Sequence, residues 1–214
     1  MDMNYNSLIE DMQTYMLRTD QPYLAKIPQL IQQGIIRIYN NAKDIGFELY
    51  YTTNLVANNF LIDKPGKWQE TISLSIVDAN GNKGFLQERT YEYCKTYLPN
   101  ANITGIPKYY TDSLVAANSS SYSNWLIAPA ADANYAVNVI YLGIPEFNDA
   151  NQTNFLTQRY PNLLLYSCLM EACLFLDNEE KRNKYEMMFG KELETINRMN
   201  VDRTTDRTVV RDKS

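Results

Sequence analysis

Apolar residues recur with two different periods along this chain. Near the N-terminus Leu8, Met12, Tyr15 and Met16 fall at helical spacing, behind a start signal made by Ser7 with Glu10 three residues on. Arg18-Thr19-Asp20-Gln21-Pro22 breaks this stripe. A second helix is expected from about Pro28, with Leu30, Ile31, Gly34, Ile35 and Ile38 as its inner face and Ile45-Gly46 as its end. From about Phe47 to Gly143 the period shortens to two. Ile72, Leu74 and Ile76 alternate with Ser73, Ser75 and Val77, and Tyr135, Val137, Val139 and Tyr141 alternate with Ala136, Asn138 and Ile140. These are strands with at least one buried face. Asp78-Ala79-Asn80-Gly81-Asn82 reads as a hairpin turn, Thr90 to Leu98 as a short helix and Ser119-Ser120-Ser121 as a loop.

The last third returns to helical spacing. Thr153 to Gln158 predicts a short helix. Pro161 opens another, reaching about Leu176, that is apolar on most sides and belongs at the centre of a core. Asp177 with Glu180 marks the next start, and Tyr185, Met188, Phe189, Leu193, Ile196 and Met199 form its stripe. Beyond Asn200 the chain turns polar and reads as a tail without packed structure of its own. The fold class expected is α+β. Residues 1–46 and 152–199 form a helical bundle, residues 47–151 an inserted antiparallel β region, and residues 200–214 a C-terminal arm.

Composition narrows the function classes. The net charge is -5, from 20 basic and 25 acidic residues, which argues against a protein that grips phosphate backbones. Histidine is absent, which excludes Ser-His-Asp and Cys-His catalysis and the mixed metal sites that use imidazole. Cys94, Cys168 and Cys173 form no Cys-x-x-Cys pair and read as buried, inert thiols of a reducing compartment. No basic-then-apolar signal pattern precedes Tyr5, and Leu163 to Leu176 is too short to span a bilayer.

Asp78, Asn80 and Asn82 open like a calcium loop, but Lys83 and Arg89 stand where that loop needs Gly and Glu, so a plain turn is favoured. Glu10-Asp11 and Glu179-Glu180 are paired acids, expected at helix starts rather than in a catalytic cleft. No catalytic, cofactor or metal site is expected. Tyrosine is abundant at 17 residues, crowding the middle as Tyr50-Tyr51, Tyr91, Tyr93, Tyr97 and Tyr109-Tyr110. Interface and core packing is the favoured reading, and a tyrosine-rich module stacking nucleic acid or carbohydrate is the alternative. In the tail, Arg203, Arg207 and Arg211 with Val209-Val210 make either a disordered end or an arm that orders on a partner.

Several segments, taken in order, carry a resemblance. They are Leu8-Ile9-Glu10-Asp11-Met12, Arg18-Thr19-Asp20, Ile27-Pro28-Gln29-Leu30-Ile31, Pro129-Ala130-Ala131-Asp132 before Tyr135-Ala136-Val137, Thr153-Asn154-Phe155-Leu156, and Tyr160-Pro161-Asn162-Leu163-Leu164-Leu165. Spread over roughly residues 8 to 199, they resemble the head-to-tail adaptor proteins of short-tailed bacteriophages, including the SU10 type. The resemblance implies a structural virion protein and no enzyme. It implies a ring of twelve copies under the portal protein, with tail or nozzle proteins on the other side. Genomic DNA would pass through the ring without specific binding. It also implies a C-terminal segment on the portal, which assigns portal binding to Arg203, Arg207, Val209, Val210 and Arg211. The location implied is the virion, with assembly in the host cytoplasm and no membrane partner.

Overall fold

The computed structural model describes residues 3–42, 45–100, 102–112 and 123–209, with side chains in the last helix only as far as residue 198. Three helices open the chain: α1 (Tyr5–Met16), α2 (Gln21–Leu24) and α3 (Ile27–Ala42). The strands β1 (Glu48–Leu55), β2 (Leu61–Asp63), β3 (Trp68–Val77), β4 (Lys83–Phe85) and β5 (Gln87–Glu88) follow, then helix α4 (Tyr91–Tyr97). The strands β6 (Thr104–Gly105), β7 (Tyr109–Thr111), β8 (Asn124–Ala128), β9 (Ala130–Ala131) and β10 (Tyr135–Gly143) complete the middle. Helices α5 (Phe155–Arg159), α6 (Pro161–Phe175) and α7 (Glu179–Val209) close the chain. The fold is α+β, and it divides into two compact units, residues 1–47 with 144–214 and residues 48–143.

The helical unit is built around α6, which packs against α1, α3, α5 and α7. This follows from its composition: Leu163, Leu164, Leu165, Cys168, Leu169, Met170, Ala172 and Cys173 are all buried and cover most of its circumference. The expected inner face of α3 is buried throughout, from Leu30 to Ile38. At Gly34 the two helices approach so closely that an added Cβ would lie 2.9 Å from the Cys168 sulfur, and the Ser167 hydroxyl donates to the Gly34 carbonyl at 2.7 Å. Arg37 of α3 reaches Glu171 of α6 through its Nε at 2.6 Å.

Two helix starts differ from the sequence reading. The N-cap of α1 is Asn4, whose side chain accepts from the Ser7 amide while the Ser7 hydroxyl accepts from the Asn4 amide. Ser7 is therefore the third helical residue of the box, not its cap, and Glu10-Asp11 lie inside α1 rather than at its start. At α7 the cap is Asn178, accepting from the Lys181 amide at 3.0 Å, because Asp177 is held left-handed at φ 53°. Glu179 and Glu180 do stand in the first turn, where the helix dipole favours them. The sequence reading also ended this helix near Asn200, whereas its backbone stays helical through Val209. Once a helix is nucleated each further residue adds one hydrogen bond, so a polar stretch without Pro or Gly continues it.

The β unit is a sandwich of two four-stranded sheets, ordered β1-β10-β3-β4 and β2-β8-β7-β5, with a small β6-β9 pair. Pairing is antiparallel except for the short β5-β7 and β6-β9 contacts. Tyr135, Val137, Val139 and Tyr141 of β10 point inward as their alternation requires and join Leu74, Ile76, Trp125 and Ile127 in the core. In β3 the alternation is interrupted. Val139 pairs with Leu74 and Ile140 with Ser73, but Tyr141 pairs with Thr71, leaving Ile72 as an extra residue. This bulge reverses the facing before it: Ile72, expected inside, is 48% exposed and Thr71 is buried. The Asp78–Asn82 turn joins β3 to β4 as expected.

Candidate functional site

Three features of these units bear on function. The first is α7. Its stripe buries Tyr185, Phe189 and Ile196, with Met188 and Leu193 half-buried, and it packs chiefly on α6. The helix runs on for residues 197–209 beyond Ile196, which at 1.5 Å per residue is roughly 20 Å. Arg203, Arg207 and Val209 belong to this continuation, while Val210 and Arg211 lie outside the described residues. The backbone of residues 197–209 thus continues a long helix that is packed over its first half.

The second feature is a tyrosine cluster in the β unit. The i, i+4 pair Tyr93 and Tyr97 on α4 meets Tyr109 of β7, with ring centroids 5.2 Å (Tyr93–Tyr109) and 4.8 Å (Tyr97–Tyr109) apart. The Arg89 guanidinium sits 5.6 Å from the Tyr93 ring and 5.9 Å from that of Tyr109. Hydrogen bonds to Tyr97 and Tyr109 lower the Tyr93 pKa, and those to Tyr93 and Tyr109 push that of Tyr97 up to about 12. Tyr93 and Tyr97 are exposed, whereas Tyr110, Tyr135 and Tyr141 are core residues and Tyr50 stands on a sheet face. The tyrosines of the middle therefore serve several surfaces and do not line one groove. Sequence reasoning noted the crowding but not which residues meet; the i, i+4 spacing of Tyr93 and Tyr97 was the available signal.

The third feature, missed by sequence reasoning, is a buried polar node. The Thr71 hydroxyl accepts the indole N–H groups of Trp68 at 3.0 Å and Trp125 at 2.9 Å and donates to Asp112 at 3.0 Å. The Lys64 ammonium lies 3.3 Å from the Trp68 ring centroid and 3.6 Å from the Asp112 carboxylate. Burial lowers the Lys64 pKa, while Asp112 opposes that shift. The same region raises the Glu88 pKa, through burial first and the nearby Asp112 and Glu70 charges second. These contacts tie β3 and β8 to the residues that follow β2 and β7. No signal in the sequence announces it, since its residues lie up to 61 positions apart.

The remaining motifs have structural roles. The Asp78 carboxylate accepts from the Asn80 amide and from both the amide and side chain of Asn82, which closes the hairpin turn. Cys94, Cys168 and Cys173 are buried free thiols. No helix among the described residues is long and apolar enough to cross a membrane. The Ala128–Pro129 peptide is cis, and the following Asp132 accepts from the Tyr135 hydroxyl at 2.7 Å.

Compared with known proteins, the chain has no match among curated sequences. The family model described as SU10 adaptor protein matches residues 3–212, spanning both helical ends and the β insertion. The chain belongs to the SU10 adaptor protein family, structural adaptors of the bacteriophage virion.

Proposed function

We propose that this chain assembles into a ring between the portal protein and the tail or nozzle proteins, twelve copies in number, and that the genome passes through it. Copies join head to tail, the contact type that closes into a ring. One observation carries the attachment to the portal: α7 continues for residues 197–209 past Ile196, its last buried residue among those described. Arg203, Arg207, Val209, Val210 and Arg211 on that arm supply charge and an apolar contact for the portal. The net charge of -5 suits a channel that must release DNA, since each basic phosphate contact adds salt-dependent affinity. Assembly takes place in the host cytoplasm.

Native mass spectrometry of the full chain with the portal protein of the same genome tests this reading. Twelve copies added per portal is the expected result. Deleting residues 201–214 should abolish attachment while the far-UV circular dichroism of the helical unit persists. Normal attachment of the truncated chain would overturn the arm's role, and tight duplex DNA binding at physiological salt would overturn the passive channel.

A second reading has one observation in its favour. Tyr93, Tyr97 and Tyr109 with Arg89 form an exposed aromatic and cationic surface of the kind that stacks bases or sugar rings. The mild acidity of the chain and the dispersal of its other tyrosines weigh against this surface being the main function. Titration with single-stranded DNA and with oligosaccharides, read by tyrosine fluorescence, separates the two readings.

A further inference from the structure

We infer that the β unit joins copies of this chain edge to edge, with β1 of one copy pairing with β4 of the next. The inference rests on the ring reading and specifies its junction. β1 and β4 end the sheet β1-β10-β3-β4, and each of its pairings is antiparallel. Directions therefore alternate across the sheet, and β1 and β4 run opposite ways. A second copy whose β4 lies beside β1 continues the sheet with antiparallel polarity. Among the described residues, no backbone hydrogen bond from outside the sheet reaches residues 48–55 or 83–85.

The edge at β1 lacks the usual protection. It is eight residues long, carries Glu48 as its sole charge and contains no Pro or Lys. Leu49 and Tyr51 point toward the core but stay only partly buried, because no strand flanks them on the outer side. On the opposite face, Tyr50 is 65% exposed on β1 and Phe85 is 67% exposed on β4, the two most exposed aromatic side chains among the described residues. Both lie on the same face: Thr52 pairs with Asn138, Asn138 with Ser75 and Ser75 with Phe85, and Tyr50 is two residues from Thr52.

Pairing must keep faces matched, so only every second register is allowed. One such register sets Phe85 of the second copy against Tyr50, an aromatic cross-strand pair of the kind that stabilises sheets. In that register Lys83 falls opposite Thr52, so no like charges meet across the junction. Pairing β4 with β4 would instead bring two lysines together across a three-residue strand. So short a strand makes a single junction weak. Pairs of copies dissociate readily, and the closed ring, where every copy makes two junctions, holds.

Crosslinking tests the junction in the full-length chain. Tyr50→Cys and Phe85→Cys are made singly and together; both sites are exposed, whereas the native thiols Cys94, Cys168 and Cys173 are at most 1% exposed. A short bis-maleimide tolerates a two-residue register shift. It is applied to the chain at high concentration and to its assembly on the portal protein. The double variant should give a ladder of covalent oligomers on a denaturing gel, and a mixture of the two single variants one dimer band. Each single variant alone should crosslink at least tenfold less. As an independent variant, Phe85→Lys should weaken self-assembly at least tenfold with unchanged circular dichroism.

Four outcomes would overturn the inference. Rings that form by native mass without the ladder would leave the ring standing and move its junction elsewhere. Dimers from Tyr50→Cys alone would replace it by a two-fold β1-β1 contact. Crosslinks from Tyr50→Cys to the portal would make another protein the strand donor. If no assembly forms in any condition, the ring reading fails and the junction with it.

Discussion

The same substitution should have opposite effects at two helical glycines. At Gly34 an alanine Cβ would meet the Cys168 sulfur at 2.9 Å, and also the Cys168 backbone nitrogen at 3.1 Å and Cα at 3.2 Å. The sulfur is on a side chain that has nowhere to go, since Cys168 is fully buried, and the backbone atoms yield only if α3 and α6 separate. Alanine gains about 1 kcal/mol in helix propensity over glycine. Against that stand the overpacking cost of about 1–3 kcal/mol and a weakened Ser167-to-Gly34 hydrogen bond worth about 1 kcal/mol. Gly34→Ala should therefore destabilise the helical unit by about 2 kcal/mol. At Gly190 on α7 no atom lies within 4 Å of the added Cβ, so only the propensity acts and Gly190→Ala should stabilise by about 0.5–1 kcal/mol. Urea denaturation of both variants, followed by far-UV circular dichroism, gives the comparison. The double variant Gly34→Ala/Cys168→Ala should recover part of the loss and no more, because the backbone contacts remain. A Gly34→Ala protein as stable as the parent would refute the close helix approach on which the reasoning stands.

Thr71→Val keeps the side-chain shape but removes the acceptor of two indole N–H groups and the donor to Asp112, so the β unit should lose about 2–4 kcal/mol, with a change in tryptophan emission. Ile72→Thr should change stability by less than about 0.5 kcal/mol while Leu74→Ala costs about 2–4 kcal/mol; equal costs would mean the bulge is absent. Burial raises the pKa of Tyr23 and of Tyr110 above the ordinary tyrosine value of 10.0, so stability that these phenols contribute is present below pH 10.0 and lost as pH rises beyond it. Tyrosinate absorbance should accordingly rise first from the lowered Tyr93 and last, together with unfolding, from Tyr23 and Tyr110, and a single unshifted titration would contradict this.

Where a residue's fate depends on its near neighbours, the sequence was a good guide. The stripe Leu30, Ile31, Gly34, Ile35 and Ile38 and the nearly all-round burial of α6 follow from the spacing of apolar residues alone. Caps were placed less well, for a physical reason. Asn4-x-x-Ser7 and Ser7-x-x-Glu10 both look like boxes, and the choice depends on which residue leaves helical backbone angles first. The bulge at Ile72 was invisible because an inserted residue is defined by the partner strand, and β10 lies more than 60 positions away in the chain.

The candidate site was least legible, because its parts are defined by pairings and not by motifs. Arg89, Tyr93 and Tyr109 become one surface only when β5 and β7 pair in parallel and bring residues 87–89 beside residues 109–111. Tyr50 and Phe85 mark edges only once the order β1-β10-β3-β4 is known, since in sequence β1 is followed by β2 and not by β10. A strand that will stand unpaired carries no special pattern; it carries the absence of the lysines and prolines that protect edges, as β1 does. That absence gains meaning from topology. In an adaptor the informative residues are therefore those that stay exposed on a free sheet edge, and Tyr50 and Phe85, each held only by one polar neighbour, Asn138 and Lys83, at the two ends of one sheet, are the plainest case.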